Sequence, residues 1–156
     1  MIRAILAHDA HWGIGKNGDL PWPKNSEDLK WFKESTSGGV VVMGGQTWRS
    51  LPRKPLPNRE NVVITRRDDI EADVVVDMKS AIKLLPQMNY TKDVWIIGGA
   101  NILTQLLPYC DELWLNDVDG DYDCDTFLPQ KEIIEMFEPI KTEINTFGVV
   151  TIWSKK

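Results

Sequence analysis

Apolar residues in this chain gather in short runs, and between the runs they recur at every third or fourth position. The runs Ile2–Ala7, Val40–Met43, Asn61–Thr65, Asp73–Val76, Val94–Ile97, Glu112–Val118 and Val149–Ser154 read as strands. Val40-Val41-Val42-Met43 and Val94-Trp95-Ile96-Ile97 are apolar at every position, which suits strands inside a parallel sheet covered by helices. Helical spacing marks Ser26–Ser35, Thr47–Leu51, Lys79–Met88 and Asn101–Leu107, with Ser26 placed as an N-cap for the first and Pro108 as a stop after the last. Alternation of the two patterns predicts an α/β fold: one domain over residues 1–156, a central, mostly parallel twisted sheet, and helices on both faces joined by right-handed crossovers. The last two strands have no helix between them, only Asn145-Thr146-Phe147-Gly148, and should form an antiparallel hairpin at one edge.

Composition narrows the class. With 156 residues, 42% hydrophobic and 26% charged, the chain has the make-up of a soluble globular domain, and seven tryptophans offer large surfaces to bury. No apolar run approaches the roughly 20 residues of a membrane helix, and the start MIRAILAHDAH breaks too soon for a signal peptide. Cys110 and Cys124 lack CxxC spacing, which fits reduced thiols in the cytoplasm better than a disulfide. The net charge of −5 argues against polyanionic partners such as nucleic acid, but it hides an asymmetry. Residues 1–67 carry 11 basic and 6 acidic side chains, whereas residues 68–156 carry 7 and 17. Such a division marks either an anion site or two solvated faces.

Ligands of α/β sheets bind beyond the carboxyl ends of strands, so the loops there are the ones to read for chemistry. The first runs through Gly13-Ile14-Gly15-Lys16-Asn17-Gly18-Asp19-Leu20-Pro21-Trp22, long enough for a lid or binding loop. It leads into a helix with Glu27 and Asp28 in its first turn, where acids complement the helix dipole. Asp28 also flanks the apolar Leu29 and Phe32, which is the setting of an acid in a ligand cleft. Met43-Gly44-Gly45-Gln46-Thr47 and Ile97-Gly98-Gly99-Ala100-Asn101 are two strand–glycine–helix turns that fit phosphates or serve packing alone. Neither is GxGxxG or a P-loop. Thr65-Arg66-Arg67, at a strand end, could hold a phosphate monoester such as the one that separates NADPH from NADH.

Together these residues resemble the dihydrofolate reductase family. The signature is Gly13-Ile14-Gly15, four residues, Leu20-Pro21-Trp22, five residues, Asp28, three residues, Phe32, three residues, Thr36. The family pattern separates the two adjacent acids, because choosing Glu27 would put Trp31 where Phe or Tyr is wanted, whereas Asp28 puts Phe32 there. The resemblance continues through Val42-Met43-Gly44, Thr47-Trp48, Leu56-Pro57-Asn58-Arg59, Ile97-Gly98-Gly99 and Asp125-Thr126-Phe127.

The resemblance implies NADPH-dependent reduction of dihydrofolate, with hydride passing to pterin C6 and N5 protonated from water, by a cytoplasmic monomer. Asp28 would bond the pterin, Trp22 would help position a water, and Ile5, Ala7, Leu29, Phe32, Leu51, Leu56 and Ile97 would wall the pocket beside Asn116. Arg59 would pair with the α-carboxylate of the substrate's glutamate tail, with Arg53 at its rim. The implied cofactor surface comprises Ala7, Ile14, Gly15, Asn17, Gly18, Asp19 and Leu20, then Gly45, Gln46 and Thr47, then Thr65, Arg66 and Arg67, then Gly98, Gly99, Ala100, Asn101, Ile102 and Leu103, and finally Thr126.

Four positions depart from the family's usual residues. Gly45 stands where a basic residue commonly faces the cofactor phosphates, leaving Arg66 and Arg67 as the obvious supply of charge. Leu103 replaces an aromatic, Asn116 a threonine and Cys124 a glycine. His8 and His11 read as surface groups without metal-ligand spacing, and the acids from Asp117 to Asp125 lack the glycine and glutamate of a calcium loop. The rival functions are a pyrimidine reductase of the riboflavin pathway on the same fold and a catalytically silent nucleotide-binding protein. Asp28, Trp22 and Arg59 favour the pteridine reductase.

Overall fold

A computed structural model describes residues 1–18 and 20–156. Fifteen regular elements follow in chain order: β1 (Ile2–His8), β2 (Gly13–Gly15), α1 (Ser26–Thr36), β3 (Val40–Gly44), α2 (Gly45–Ser50), β4 (Glu60–Ile64), β5 (Val74–Val76), α3 (Met78–Met88), β6 (Val94–Gly98), α4 (Ala100–Leu106), β7 (Glu112–Asp117), β8 (Thr126–Phe127), α5 (Gln130–Met136), β9 (Phe137–Asn145) and β10 (Gly148–Lys155). Eight strands form one sheet in the order β5-β4-β3-β6-β1-β7-β10-β9, and β2 pairs with β8 apart from it. The six strands from β5 to β7 are parallel, whereas β10 runs antiparallel to both β7 and β9.

Successive side chains of a strand point to opposite faces, so uniformly apolar strands feed two cores at once. Val40, Val42, Val94, Ile96, Leu113 and Leu115 face Ala81 and Leu85 of α3, Leu103 and Leu106 of α4, and Ile133 of α5. Their neighbours Val41, Met43, Trp95 and Trp114 face the other way, toward Trp31 and Phe32 of α1 and Trp48 of α2. The α/β sheet with helices on both faces and a C-terminal antiparallel hairpin is thus as the sequence pattern predicts. From central β1 the chain moves to β3 on one side, leaving a slot that β6 fills later, and β7 is added on the other side. That reversal opens a crevice at the carboxyl ends of β1, β3 and β6. No described helix is long and apolar enough to cross a membrane.

Several local expectations are corrected. Asn25, not Ser26, caps α1, because Asn25 has the extended backbone that a cap requires and its side-chain Oδ1 accepts from the Glu27 and Asp28 amides at 2.9 and 3.3 Å. Pro108 does not end α4 but lies within a following 3₁₀ turn, Leu107–Tyr109. A helix, α5, stands between β7 and the hairpin, and β9 is the hairpin's first strand. The apolar pattern misses both because α5 buries only Ile133 and β9, an edge strand, is exposed from Glu138 to Ile144. His8 is buried, not on the surface, and stacks on Trp12 at 5.0 Å between ring centroids. Both cysteines are free thiols.

The start of the long first loop is anchored by Asp9, which is almost fully buried. Its carboxylate accepts from the backbone amides of His11, Gly13 and Tyr122 at 2.9, 2.8 and 3.1 Å and from the Cys124 thiol at 3.4 Å. Burial opposes the charge, but these four donors outweigh it and hold the carboxyl below its ordinary pKa. Burial and the bond to Asp9 push the Cys124 thiol up to about 11. Gly13 lies so close that a Cβ there would run into Cβ and Sγ of Cys124. Gly13→Val is therefore expected to cost about 1–3 kcal/mol through overpacking, measured by urea unfolding, and Cys124→Gly in the same chain should recover at least half of the loss. An equal loss with and without the Cys124 side chain would contradict the contact.

Candidate active site

The first helix lays out one edge of the crevice. Asp28, Phe32 and Thr36 fall at successive turns of α1 and share a face. At 1.5 Å per residue, the face spans about 12 Å from the acid to the hydroxyl. Asp28, in the first turn, benefits from the positive end of the helix. Its carboxylate accepts from the Asn116 side-chain amide of β7 at 3.3 Å, and the same amide donates to the Phe147 carbonyl in the β9–β10 turn, also at 3.3 Å. Asn116 has no accessible surface and stands in register with Ala7 of β1. The turn approaches Asn116 so closely that a Cβ on Gly148, whose φ is +145°, would strike the amide oxygen. Burial pushes the Asp28 pKa up, and the Asn116 bond partly offsets this. Glu27, one residue earlier and exposed, is turned instead to the Thr146 hydroxyl.

At the far end of the same face stands Arg59. Its Nη1 donates to the Thr36 hydroxyl at 3.1 Å, its Nε donates to the Pro57 carbonyl at 2.8 Å, and its guanidinium lies 5.9 Å from the Phe32 ring centroid. Thr36, fully buried, donates its own hydroxyl to the Phe32 carbonyl at 2.9 Å. Asn61 fixes the loop that carries Arg59, accepting from the Leu56 amide at 2.9 Å and donating to the Leu56 and Arg59 carbonyls at 3.0 Å. Leu51, Leu56 and Ile97 pack beside Ile5 in the same layer, Leu29 lies open at the mouth, and Arg53 is exposed on the loop before Pro55.

The three glycine-containing turns meet around Gln46 and Thr47. A Cβ on Gly98, where φ is +139°, would come 3.2 Å from Thr47 Oγ1, and one on Gly99 would come 3.8 Å from it. The Gly98–Gly99 peptide is cis. Gly18 of the first loop, with φ at +80°, approaches Gln46, whose Nε2 would lie 2.8 Å from a Cβ there. Asp125 steadies that loop: its carboxylate accepts from the Asn17 amide and its own amide donates to the Gly15 carbonyl, both at 2.9 Å, while β8 sets Thr126 opposite Gly15. Beside this floor a cavity of about 470 Å³ is lined by Thr65, Arg66, Arg67, Asp68 and Asp77, with Ile70, Val75 and Val76 as its apolar walls. Arg67, however, is held by Asp69 through two bonds of 2.9 and 2.6 Å.

Other expected positions divide. Ala100 and Asn101 open α4 at the floor, whereas Ile102 and Leu103 are buried in the core beneath it. Ile14 packs on that core, Leu20 is exposed, and Asp19 lies outside the described residues. Trp22 is nearly buried and packs edge-on against Tyr122 at 5.8 Å. Sequence reasoning missed Asp9, Asn61, Tyr122 and Phe147. The first two carried a signal, since a polar residue at or next to an apolar strand must find partners when buried. The last two sit in loops without periodicity.

A cleft divided in this way suits an enzyme that sets a phosphorylated dinucleotide beside an elongated, partly anionic substrate. A sequence profile of the family Dihydrofolate reductase matches residues 1–146. The chain is 39% identical over 139 residues to a dihydrofolate reductase of Buchnera aphidicola, covering 89% of this chain and 85% of that one. It is 38% identical over 130 residues to the Bacillus subtilis enzyme, covering 83% and 76%. A solved structure of Enterococcus faecalis dihydrofolate reductase complexed with NADP(H) and RAB-propyl superposes with a TM-score of 0.85 at 30% identity, over 100% of this chain and 96% of that one. The chain belongs to the dihydrofolate reductase family. It is an oxidoreductase that reduces dihydrofolate with NADPH.

The raised Asp28 pKa has a sign that can be measured. The folded protein binds this proton more tightly than the unfolded chain does, so ionising Asp28 costs stability once the pH passes the ordinary carboxylate range. Ligand-free Asp28→Asn should therefore be the more stable protein at neutral pH, with the gap closing as the pH falls below that range. Asn116→Leu removes the donor that favours the carboxylate, and a carboxyl NMR titration should show the Asp28 midpoint moving further up. A midpoint that stays or falls would show that the amide does not bear on the charge.

Proposed function

We propose that Asp28 and Arg59 grip opposite ends of dihydrofolate along the α1 face, with Asp28 and Asn116 at the pterin and Arg59 at the glutamate carboxylate. The observation that carries this reading is the spacing itself. Asp28, half-buried, and Thr36 lie about 12 Å apart along one helix, with Phe32 between them, and Thr36 holds Arg59 at the far end by accepting from its Nη1 at 3.1 Å. A carboxylate there accepts bonds from a ring amine and ring N–H, and a planar guanidinium donates two parallel N–H bonds to a tail carboxylate. Ile5, Leu51, Leu56 and Ile97 provide apolar walls for flat rings between the two.

The residues present also fit NADPH. Gly98 and Gly99 bring backbone without side chains of its own up to the Thr47 hydroxyl, and Arg66 stands at a cavity large enough for a phosphorylated ribose. Gln46, Thr47, Gly98 and Gly99 would hold the pyrophosphate and nicotinamide ribose, and Thr65 with Arg66 the 2′-phosphate. NADPH supplies the hydride when bound. The chain's own part is to orient the pterin through Asp28, to exclude bulk water with Trp22 and the loop that Asp125 steadies, and to keep a negative charge near the ring that is to be protonated. The same reading has residues 1–156 acting as one unit, a monomer in the cytoplasm.

Asp28→Asn should lower turnover of dihydrofolate at least about a hundredfold, the scale of a lost charged group in a reacting pocket, while NADPH still binds. Near-normal turnover would remove Asp28 from this role. Arg59→Leu should raise KM for dihydrofolate about tenfold or more, as loss of a charge-assisted pair does, yet barely alter reduction of a pterin that lacks the glutamate tail. Steady-state kinetics with both substrates decides it, and equal losses on the two would place Arg59 elsewhere.

A further inference from the structure

The charge expected at Gly45 is not supplied by Arg67, whose guanidinium is already bonded through Nε and Nη2 to both oxygens of Asp69. One helical turn after Gly45, α2 carries Arg49. Residues four apart on a helix stand one above the other, and Arg49 lies back over the glycine. An added Cβ on Gly45 would meet Arg49 Nη1 at 3.3 Å, Thr65 Oγ1 at 3.5 Å and Ile70 Cδ1 at 3.6 Å. The guanidinium therefore occupies the space that a side chain at position 45 would take, and shares it with Thr65 and Ile70, two walls of the cavity at Arg66. Arg49 is exposed and forms no ion pair among the described residues, although it lies near enough to Asp69 to help lower that carboxyl's pKa. A glycine at 45 is what leaves room for it.

We infer that Arg49 is a binding residue for the 2′-phosphate of NADPH, delivering from the end of α2 the cation that Gly45 cannot. The inference rests on the cofactor reading above. Of the three arginines grouped here, Arg49 and Arg66 make no salt bridge among the described residues, though each lies near a carboxylate, Asp69 and Asp77 respectively; Arg66 lines the cavity from the segment after β4, and Arg49 reaches its Thr65 and Ile70 walls from α2. A phosphate monoester dianion set between them would receive charge-assisted bonds from two guanidinium groups and one from the Thr65 hydroxyl. Arg67 in turn anchors the segment through Asp69.

Binding, read from quenching of the chain's tryptophan fluorescence, tests this without turnover. The unmodified chain is titrated first, and absence of saturable NADPH binding there would overturn both the cofactor reading and this inference. With that binding in hand, Arg49→Gln should weaken NADPH about tenfold or more, the scale of one charge-assisted bond, and should weaken 2′,5′-ADP alike, while NADH affinity changes less than about twofold. Gly45→Arg introduced into the Arg49→Gln chain should restore most of the lost NADPH affinity, since the space above position 45 is then clear. NADPH affinity unchanged in Arg49→Gln, or NADPH and NADH weakened equally, would overturn the assignment while leaving NADPH as the cofactor. Failure of Gly45→Arg to restore affinity would overturn the exchange of roles between the two positions.

Discussion

The Asn116 amide donates to Asp28 and to the Phe147 carbonyl, each at 3.3 Å, and so joins the first helix, the seventh strand and the last hairpin at one buried point. A carboxylate drawn part-way out of water is costly unless donors face it. Here the donor cannot swing away, because its second hydrogen bond and the close approach of Gly148 fix the amide from behind. The amide oxygen has no partner among the described residues, and it is the N–H side of Asn116 that faces the acid. Asp28 is thereby held ionisable yet short of bonds, which is the condition in which it gains most from a ring that donates to it.

The rest of the site is distributed by the sheet. Because β3 and β6 are apolar on both faces, and β1 carries polar side chains only near its ends, at Arg3 and His8, the chemistry is displaced to the turns that follow these central strands. Charge follows the same logic. The net −5 is irrelevant to two anionic ligands, since the arginines stand at strand and helix ends on one half of the sheet while the acids from Asp117 to Asp125 crowd the loop beyond β7. Within that acidic loop Asp125 has separate work, receiving the Asn17 amide of the first loop.

Uniform apolar runs made the parallel sheet legible in the sequence, and spacing alone put Asp28, Phe32 and Thr36 on one helical face. What stayed illegible depended on tertiary approach. Nothing in the local sequence shows that Gly13 must be small because Cys124 is not, or that Arg49 folds over Gly45. Asn25 and Ser26 are both good cap residues by type, and only the extended backbone at position 25 decides between them. The burial of His8 is invisible locally, since it depends on Trp12 doubling back to cover the ring. The edge strand β9 has no apolar alternation to read, since solvent bathes it almost throughout.

The hairpin that this strand begins is more than an addition to the sheet's edge. Glu27 and Asp28 differ by one residue, hence by about 100° around the helix, and both are tied to the same turn. Asp28 reaches it through Asn116 and Phe147, and Glu27 reaches it through Thr146. Phe147 adds a ring contact with Trp31 of the same helix, at 5.6 Å. The first turn of α1 is therefore clamped on two sides by the segment Thr146-Phe147-Gly148. This explains why two chemically similar acids take different positions: the turn draws Glu27 outward to a hydroxyl at the surface and leaves Asp28 facing the cleft. An antiparallel hairpin can do this where another parallel strand could not, because only its tight turn brings backbone carbonyl and side-chain hydroxyl together at the carboxyl end of β7, where the crevice lies.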